Sequence, residues 1–198
     1  LVQNTAWNNA QLAIQNLRDA DLLTSDRLYD LPLEELEPLI RSAGYYRMKA
    51  RRLRNVLDHL HKHYQGSVDR FFDLDTETLR RELLSINGIG PETADSILLY
   101  GALRPVFVVD AYTNRVLKRH RLIDYDAGYD ELQSHFHSHL EKSAPLYNEF
   151  HALIVRVGHL HCRKTPQCEK CPLEEWIPDG GICLPENERG HQRRGSRK

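Results

Sequence analysis

Hydrophobic residues recur along this chain mostly at the three- and four-residue spacing of amphipathic helices. The clearest stripe lies in residues 53–64, and similar stripes lie in residues 6–17 and 146–157. A further helix is expected from about residue 32 to 43, ahead of a glycine. Only residues 106–109 have the pattern of an extended segment. The chain is therefore predicted to be all-α, with roughly eight to ten short helices and short loops.

Charge is nearly balanced overall but unevenly distributed. The chain has 27 Lys and Arg against 28 Asp and Glu, for a net charge of -1. Residues 41–62 carry basic side chains against a single acid, and residues 115–121 are basic with no acid. Such patches can hold a phosphate backbone, or they can be ordinary solvated helix faces. No segment has the pattern of a membrane span or a secretion signal, so we expect a cytoplasmic, non-secreted protein.

A glycine turn between two predicted helices is a candidate phosphate site. It runs from Ser85 to Gly90, with Gly88 and Gly90 on either side of Ile89. Glycine permits positive φ and close approach of another backbone, and Pro91 suits the first position of the next helix. Amides beside a helix start can bind phosphate without reading base sequence. On this motif alone, an ordinary tight turn is the alternative.

Two segments together carry a resemblance to a known family. They are Ile86–Ala94, Ile-Asn-Gly-Ile-Gly-Pro-Glu-Thr-Ala, and Val108–Val116, Val-Val-Asp-Ala-Tyr-Thr-Asn-Arg-Val. Both resemble the helix-hairpin-helix DNA glycosylases of the endonuclease III superfamily, and the first is most similar to the subgroup that includes 3-methyladenine DNA glycosylase III. The resemblance runs from Leu1 to about Pro172. It implies an all-α, two-lobed helical DNA-glycosylase fold with a helix-hairpin-helix motif and a C-terminal four-Cys cluster loop.

The resemblance also implies an organisation into four parts. We expect a helical lobe with the hairpin in residues 1–104, a second helical lobe in 105–161, an iron-sulfur cluster loop in 162–183 and a disordered basic tail in 184–198. The first residues, Leu-Val-Gln-Asn-Thr, contain no helix-start signal. We therefore expect the chain to begin inside a helix and to lack N-terminal residues.

Asp110 follows the apolar run 106–109 and precedes a predicted helix, so it suits an N-cap. By resemblance it also corresponds to the catalytic aspartate of these glycosylases, and the two roles are compatible. Breaking an N-glycosidic bond builds positive charge on the sugar. A fixed carboxylate can stabilise that charge and orient or deprotonate the attacking water.

Glu92 is a departure from part of the family. Bifunctional members carry a lysine two residues after the second hairpin glycine, and its amine attacks the sugar to form a Schiff base. Glu92 occupies that position here, and a carboxylate cannot form a Schiff base. We therefore expect a monofunctional DNA N-glycosylase without AP-lyase activity.

Two further residues correspond to those that fill the gap when a nucleotide is flipped out of the duplex. By resemblance these are Gln3 and Tyr45. A tyrosine can stack in the vacated space, although packing at a helix start is an equal alternative for Tyr45. Trp7 could line the base pocket, but we expect it in the core.

The four cysteines all lie in one segment near the end of the chain, as Cys162, Cys168, Cys171 and Cys183. Without a secretion signal, a metal site is favoured over disulfides. The spacing itself fits either a [4Fe-4S] cluster or zinc. The resemblance favours [4Fe-4S], although the last gap is much longer than in the family, which singles out Cys183 as the least certain ligand.

The preferred function is base-excision repair of a damaged, alkylated base in double-stranded DNA, by a monomer working at the nucleoid. One alternative is a bifunctional endonuclease III-type glycosylase/AP lyase or a mismatch thymine/uracil glycosylase. Another is a non-catalytic helix-hairpin-helix DNA-binding module. Asp110 argues against the latter, because a binder needs no carboxylate near the DNA.

Overall fold

The computed structural model describes residues 1–184, and the regular secondary structure in this range is all helical. The helices in this range are α1 (Trp7–Asp19), α2 (Ser25–Asp30), α3 (Leu33–Leu39), α4 (Tyr46–Tyr64), α5 (Val68–Phe72), α6 (Thr76–Ser85), α7 (Pro91–Ser96), α8 (Ala111–Arg119), α9 (Tyr129–His139) and α10 (Ala144–Leu160). Short 3-10 turns lie at Arg41–Ala43 and Glu174–Trp176, and a π-helical turn lies at Ile97–Gly101. No strand occurs within residues 1–184, and the all-α prediction is confirmed.

The chain divides into two compact units, Leu1–Leu98 and the part that begins at Leu99. One core of the first unit is built from small and branched residues of α1, α3, α4 and the 3-10 turn. Its buried members are Ala13, Leu17, Leu36, Ile40, Ala43 and Ala50. The alanines lack bulk beyond Cβ, so the helices can approach closely. The ammonium of the buried Lys49 donates to the carbonyls of Leu1 and Ala43, each at 2.7 Å, and ties the start of the chain to α4.

Helices α6 and α7 of the first unit are joined by an ion pair between a partly exposed arginine and a buried aspartate. The Arg80 guanidinium donates from Nε and Nη2 to the two carboxylate oxygens of Asp95, at 2.7 and 3.1 Å. Asp95 is fully buried. Removing one partner of such a pair costs about 3–5 kcal/mol because it leaves a buried charge uncompensated. The pair therefore fixes how these two helices meet at the turn between them.

The second unit has an aromatic core. The rings of Phe107 and Phe136 stack with centroids 3.7 Å apart, and Tyr147 packs edge-on against Phe107 at 5.5 Å. Gly158 lets α10 approach α8, because a Cβ at this position would lie 2.4 Å from Cδ1 of Tyr112. Close contact between α8 and α10 is thus built on a position without a side chain.

Several element boundaries differ from the sequence-based expectations. The helix expected from residue 32 to 43 ends at Leu39, one residue after Pro38, and continues as the 3-10 turn. The expectation that the chain begins inside a helix is wrong, since Leu1–Ala6 precede α1. Residues 185–198, nearly all of the expected disordered tail, lie outside the described residues. Across the part that is described, no helix is both long and apolar enough to cross a bilayer.

Candidate active site

The turn between α6 and α7 has the geometry of a tight hairpin. The backbone of Gly88 has φ +98°, a region that favours glycine, and the amide of Ile89 donates to the carbonyl of Ile86 at 3.0 Å. Gly90 is the N-cap of α7 with an extended backbone, and Pro91 occupies the first position of the helix. The hairpin expected from the glycine pattern is therefore present.

Side chains from α4 hold this hairpin from one side. The Asn55 amide donates to the carbonyl of Asn87 at 2.9 Å. The aliphatic part of Arg52 lies against Gly88 so closely that a Cβ there would be 2.4 Å from Cγ of Arg52. The basic stretch predicted in residues 41–62 thus includes a side chain that shapes the hairpin directly.

Gln3 also contacts the hairpin. Its amide nitrogen donates to Oγ1 of Thr93 at 2.6 Å and lies 3.5 Å from the carbonyl oxygen of Gly88. Its amide oxygen accepts from the Arg52 guanidinium at 2.6 Å. Gln3 therefore bridges the start of the chain, α4 and α7.

Tyr45 and Trp7 are both exposed. Tyr45 precedes α4 in a left-handed conformation, with φ 46°, and 69% of its surface is exposed. Trp7 begins α1 and is 62% exposed, so the expectation that it packs in the core is wrong. Exposed aromatic rings of this size are available for stacking on another molecule.

The extended segment before Asp110 is a buried strand-like stretch without a partner strand. Val106, Phe107, Val108 and Val109 are all buried. Side chains of α9 satisfy the polar backbone groups of Phe107, because Gln133 donates to its carbonyl at 2.7 Å and Nε2 of His137 accepts from its amide at 3.0 Å. This lets a lone extended segment run through the core and deliver Asp110 to the start of α8.

One oxygen of Asp110 is fully engaged in capping α8. Oδ1 accepts from the amide of Thr113 at 2.7 Å and from its hydroxyl at 2.8 Å. The other oxygen, Oδ2, faces Nε2 of His151 at 3.7 Å, and the side chain is only 14% exposed. Burial raises the pKa of Asp110, but the His151 ring and the Thr113 bonds outweigh it, so that the pKa lies below the ordinary value. Oδ2 of the charged carboxylate is thus held in a sheltered position and can still accept a hydrogen bond.

Two residues beside Asp110 were missed by sequence reasoning. His151 faces Asp110 from α10, and the hydroxyl of Tyr100 lies 2.5 Å from Nδ1 of His151. Burial and the charge of Asp110 raise the pKa of Tyr100 to about 12. A signal was available for the histidine, because it sits on the buried stripe of α10 with Tyr147, Ile154 and Gly158.

Glu92 lies in the first turn of α7, two residues after Gly90. It is exposed, and α7 itself, Pro-Glu-Thr-Ala-Asp-Ser, contains no lysine. The amine that a Schiff-base mechanism requires is therefore missing from this helix.

A buried arginine organises the cysteine segment. Arg119 of α8 is only 2% exposed and donates to the carbonyls of Arg163 and Lys164, at 2.6 and 3.0 Å. Its Nη1 also lies 3.4 Å from Sγ of Cys162, and its own carbonyl accepts from the amide of Cys183 at 2.8 Å. The two ends of the segment, far apart in sequence, thus meet at one residue.

The four thiols are free, and their side chains do not form a closed ligand set. Within residues 1–184 no group of three or more Cys, His, Asp or Glu side chains is arranged to hold a metal ion. Burial, followed by the nearby Cys171 and Cys162, raises the pKa of the Cys168 thiol. The Cys171 sulfur lies 3.5 Å from the amide of Leu173. Soft sulfur donors with N–H groups directed at two of them match the chemistry of a thiolate-bound centre.

The tight glycine hairpin and the sheltered carboxylate at a helix start are both present in the described residues, as expected for a helix-hairpin-helix DNA glycosylase. Comparison with known proteins agrees. A family model described as HhH-GPD superfamily base excision DNA repair protein matches residues 1–142. The chain belongs to this superfamily of DNA glycosylases, and the family prediction is confirmed.

Individual relatives extend over most of the chain. A Methanocaldococcus jannaschii protein named as a candidate DNA repair glycosylase is 46% identical over 178 residues, covering 89% of this chain and 80% of the relative. Endonuclease III of Sulfolobus acidocaldarius is 29% identical over 178 residues, covering 89% and 77%.

Two solved structures are also similar. Helicobacter pylori 3-methyladenine DNA glycosylase (MagIII) bound to 1,N6-ethenoadenine has a TM-score of 0.68 at 28% identity, covering 80% of each chain. A trapped covalent complex of endonuclease III with DNA has a TM-score of 0.73 at 26% identity, covering 96% of this chain and 80% of that one.

Proposed function

We propose that this protein is a monofunctional DNA glycosylase that hydrolyses the N-glycosidic bond of an alkylated base in double-stranded DNA. The observation that carries the proposal is the geometry of Asp110. Its Oδ1 is occupied by two bonds from Thr113, and its Oδ2 is left in a sheltered position. A helix cap needs only the first of these oxygens. The second is available for a reacting group.

Asp110 would act on the sugar of the flipped nucleotide. As the bond to the base breaks, positive charge develops on the deoxyribose, and a fixed carboxylate stabilises it. The same oxygen can orient the attacking water and accept its proton. The lowered pKa of Asp110 keeps the carboxylate ionised at neutral pH, which both roles require.

The hairpin residues Gly88, Ile89 and Gly90 would hold the DNA backbone. No Cβ covers the Gly90 backbone, and a side chain added there would meet no protein atom within 4 Å. This leaves the amides at the start of α7 accessible to a phosphate. Gln3 and Tyr45 would fill the space left by the flipped nucleotide, with Gln3 already anchored to Thr93 beside the hairpin.

Glu92 supports hydrolysis without strand cleavage. A lyase step needs an uncharged amine that attacks the sugar and forms a Schiff base, and Glu92 supplies a carboxylate instead. We infer that the enzyme releases the base and leaves the strand uncut. The alternative activity, that of endonuclease III, would need an amine from elsewhere.

The cysteines would hold a [4Fe-4S] cluster in preference to zinc, through Cys162, Cys168, Cys171 and Cys183. When bound, the cluster would supply structural cross-linking rather than a reaction step. Arg119 and the Leu173 amide already direct N–H groups toward two of the sulfurs, as thiolate-bound clusters require. Iron and sulfide analysis of the purified protein, with its visible absorption, distinguishes the cluster from zinc.

The preference for alkylated bases rests on similarity. One structural relative is a 3-methyladenine DNA glycosylase bound to 1,N6-ethenoadenine. We propose the same chemical class of lesion here and place the enzyme, as a monomer, with the chromosomal DNA of the cytoplasm. Endonuclease III is the name of other relatives, so oxidised pyrimidines are the second candidate class.

A panel of duplexes tests this proposal. Base release is measured from dimethyl sulfate-treated DNA and from duplexes with a single 1,N6-ethenoadenine, thymine glycol, or uracil opposite guanine. The proposal predicts that the damaged base is released fastest from the alkylated substrates. It also predicts no strand cleavage unless alkali is added, and no enzyme–DNA complex trapped by borohydride. Faster release of thymine glycol together with a trapped complex would contradict it.

A further inference from the structure

One buried nitrogen beside the candidate active site has no hydrogen-bond partner. His151 is 9% exposed, and its Nε2 is shielded from solvent without a partner in the described residues. A buried polar atom left in this way destabilises the folded state. Nε2 is directed at Oδ2 of Asp110 across 3.7 Å, which is too long for a direct hydrogen bond but within ion-pair distance. Nε2 of His151 therefore faces Oδ2 of Asp110, the carboxylate oxygen that does not cap the helix.

The hydroxyl of Tyr100 contacts the other nitrogen of the His151 ring, Nδ1. Its hydroxyl is 2.5 Å from Nδ1, and a pKa of about 12 keeps that hydroxyl protonated at neutral pH. When the tyrosine O–H donates to Nδ1, the neutral ring carries its proton on Nε2. The doubly protonated ring also carries a proton there. The ring thus presents N–H to Asp110 in both of these charge states.

We propose that His151 is a positioning residue for Asp110 and that Tyr100 holds the His151 ring in the orientation this requires. The inference rests on the proposed catalytic role of Asp110. Thr113 fixes one oxygen of the carboxylate, and Nε2–H of His151 restrains and electrostatically supports the other. Two anchors on opposite oxygens limit rotation of the carboxylate, so that Oδ2 meets the sugar and the water in one orientation. His151 itself transfers no proton to the substrate in this scheme.

A purely structural histidine would behave differently. Its ring also packs edge-on against Phe107 at 6.3 Å, so loss of the ring is expected to lower stability in any case. Only a positioning role predicts that the rate of the bound complex depends on a donor at Nε2. Only that role predicts recovery by a side chain that restores the donor.

The test compares His151→Leu, His151→Gln and Tyr100→Phe in the full chain. Glutamine can place an amide N–H near the position of Nε2, whereas leucine cannot, and His159→Leu on the exposed side of α10 is the matched control. Single-turnover base release is measured on the duplex that the wild-type enzyme processes fastest, and DNA affinity is measured separately. Thermal unfolding reports whether each variant is folded.

We expect His151→Leu to slow base release of the bound complex by about tenfold to a hundredfold, since displacing a reacting group by about 1 Å can cost up to about a hundredfold in rate. Glutamine should recover most of that loss, Tyr100→Phe should slow release by about threefold to tenfold, and DNA affinity should stay within twofold throughout. The acid limb of the pH–rate profile should move to higher pH in His151→Leu. Burial raises the pKa of Asp110, and this variant lacks the His151 ring that lowers it. Among residues 99–184, the titratable groups that face Asp110 are His151 from α10 and Tyr100 from the π-helical turn.

Asp110→Asn distinguishes failure of the positioning role of His151 from failure of the proposed function. If Asp110→Asn is inactive while folded His151→Leu and Tyr100→Phe match the wild-type rate at every pH, the positioning role is wrong and the proposed function stands. Equal loss in His151→Leu and His151→Gln would also overturn the positioning role. If Asp110→Asn is fully active, the proposed function fails, and this inference fails with it. If His151→Leu does not fold, His151→Gln and Tyr100→Phe test the positioning role. A near-wild-type rate in His151→Gln together with a threefold or larger loss of rate in Tyr100→Phe supports that role. Any other pattern refutes it.

Discussion

Two aspartates begin helices in nearly the same way, yet only one of them is sheltered from solvent. Asp75 caps α6 in the first unit by accepting from the amide of Thr78 at 3.0 Å, and Asp110 caps α8 in the second unit by accepting from the amide of Thr113 at 2.7 Å. In each case a threonine three residues later provides the partner, and in each case the pKa of the aspartate is lowered.

The difference lies in what surrounds the carboxylate. Asp75 lies at the surface and is exposed to solvent. Asp110 follows four buried apolar residues, and its second oxygen faces a buried histidine. Oδ1 of Asp110 therefore caps the helix. Any catalytic role of Asp110 depends on Oδ2 and on its protection from solvent.

The hairpin in the first unit completes the comparison. It offers backbone groups rather than a titratable side chain, and its shape is fixed by Arg52 and Asn55. It should therefore set how tightly DNA is held, while Asp110 should set how fast a bound base is released. Variants in the two regions are expected to separate affinity from rate.

Among the variants expected to change affinity for DNA, the largest effect is expected at Gly88 of the hairpin. Gly88→Ala places a Cβ at φ +98° and 2.4 Å from Arg52, so the free energy of unfolding should fall by roughly 1–3 kcal/mol. Its affinity for DNA should fall by about tenfold or more, because the backbone amides proposed to bind phosphate are displaced. Urea unfolding and a fluorescence-anisotropy titration with a duplex measure the two quantities.

Gly90→Ala is the control for that experiment. Its backbone is extended, and the added Cβ meets no protein atom, so stability should change by no more than about 0.5 kcal/mol. Affinity for DNA should still fall, because the methyl group covers a surface that a phosphate is proposed to approach. If affinity for DNA is unchanged, the expectation that the hairpin controls binding and Asp110 controls rate is contradicted. It is also contradicted if base release from the bound complex slows while binding does not weaken.

A smaller effect is expected from the threonines that partner the aspartates. Thr113→Val removes one of the two bonds to Oδ1 of Asp110 and should slow single-turnover base release by about threefold to tenfold. Thr78→Val makes the corresponding change at Asp75 and should leave the rate within twofold. Equal slowing in both variants would mean that the effect comes from helix stability rather than from the carboxylate.

The smallest effect concerns acid stability, where the two aspartates should agree. A lowered pKa means that the folded state favours the charged form, so each carboxylate adds stability above the ordinary value of 3.8, and this is lost as pH falls through the lower folded value. The stability lost in Asp75→Asn and in Asp110→Asn should therefore be small at pH 7 and smaller at pH 3. Urea unfolding at both pH values checks this, and a deficit that grows toward acid would contradict the direction of the shifts.

Sequence reasoning identified the elements that depend on local pattern. The cap at Asp110 was predicted from short-range chemistry that the structure reproduces, and the hairpin followed from glycine spacing. The short helices α2 and α5 were missed, because six and five residues are too few to display a stripe.

The partners of Asp110 could not be predicted because they come from distant parts of the chain. Tyr100 and His151 are 51 residues apart and meet only through the packing of the second unit. Gln3 illustrates the same limit in the first unit, where it bonds to a residue 90 positions away. Trp7 was assigned to the core because tryptophans usually are buried, and its position at the start of an exposed helical turn overrode that tendency.

The account is tested most directly by replacing each aspartate with asparagine and measuring single-turnover base release. Asparagine caps helices about as well as aspartate, so both variants should fold and bind DNA with affinity close to wild type. We predict that Asp110→Asn slows release from an alkylated duplex by about 10²–10⁴-fold, while Asp75→Asn stays within twofold. Wild-type rates in both variants, or equal losses in both, would contradict the assignment of Asp110 as the catalytic carboxylate.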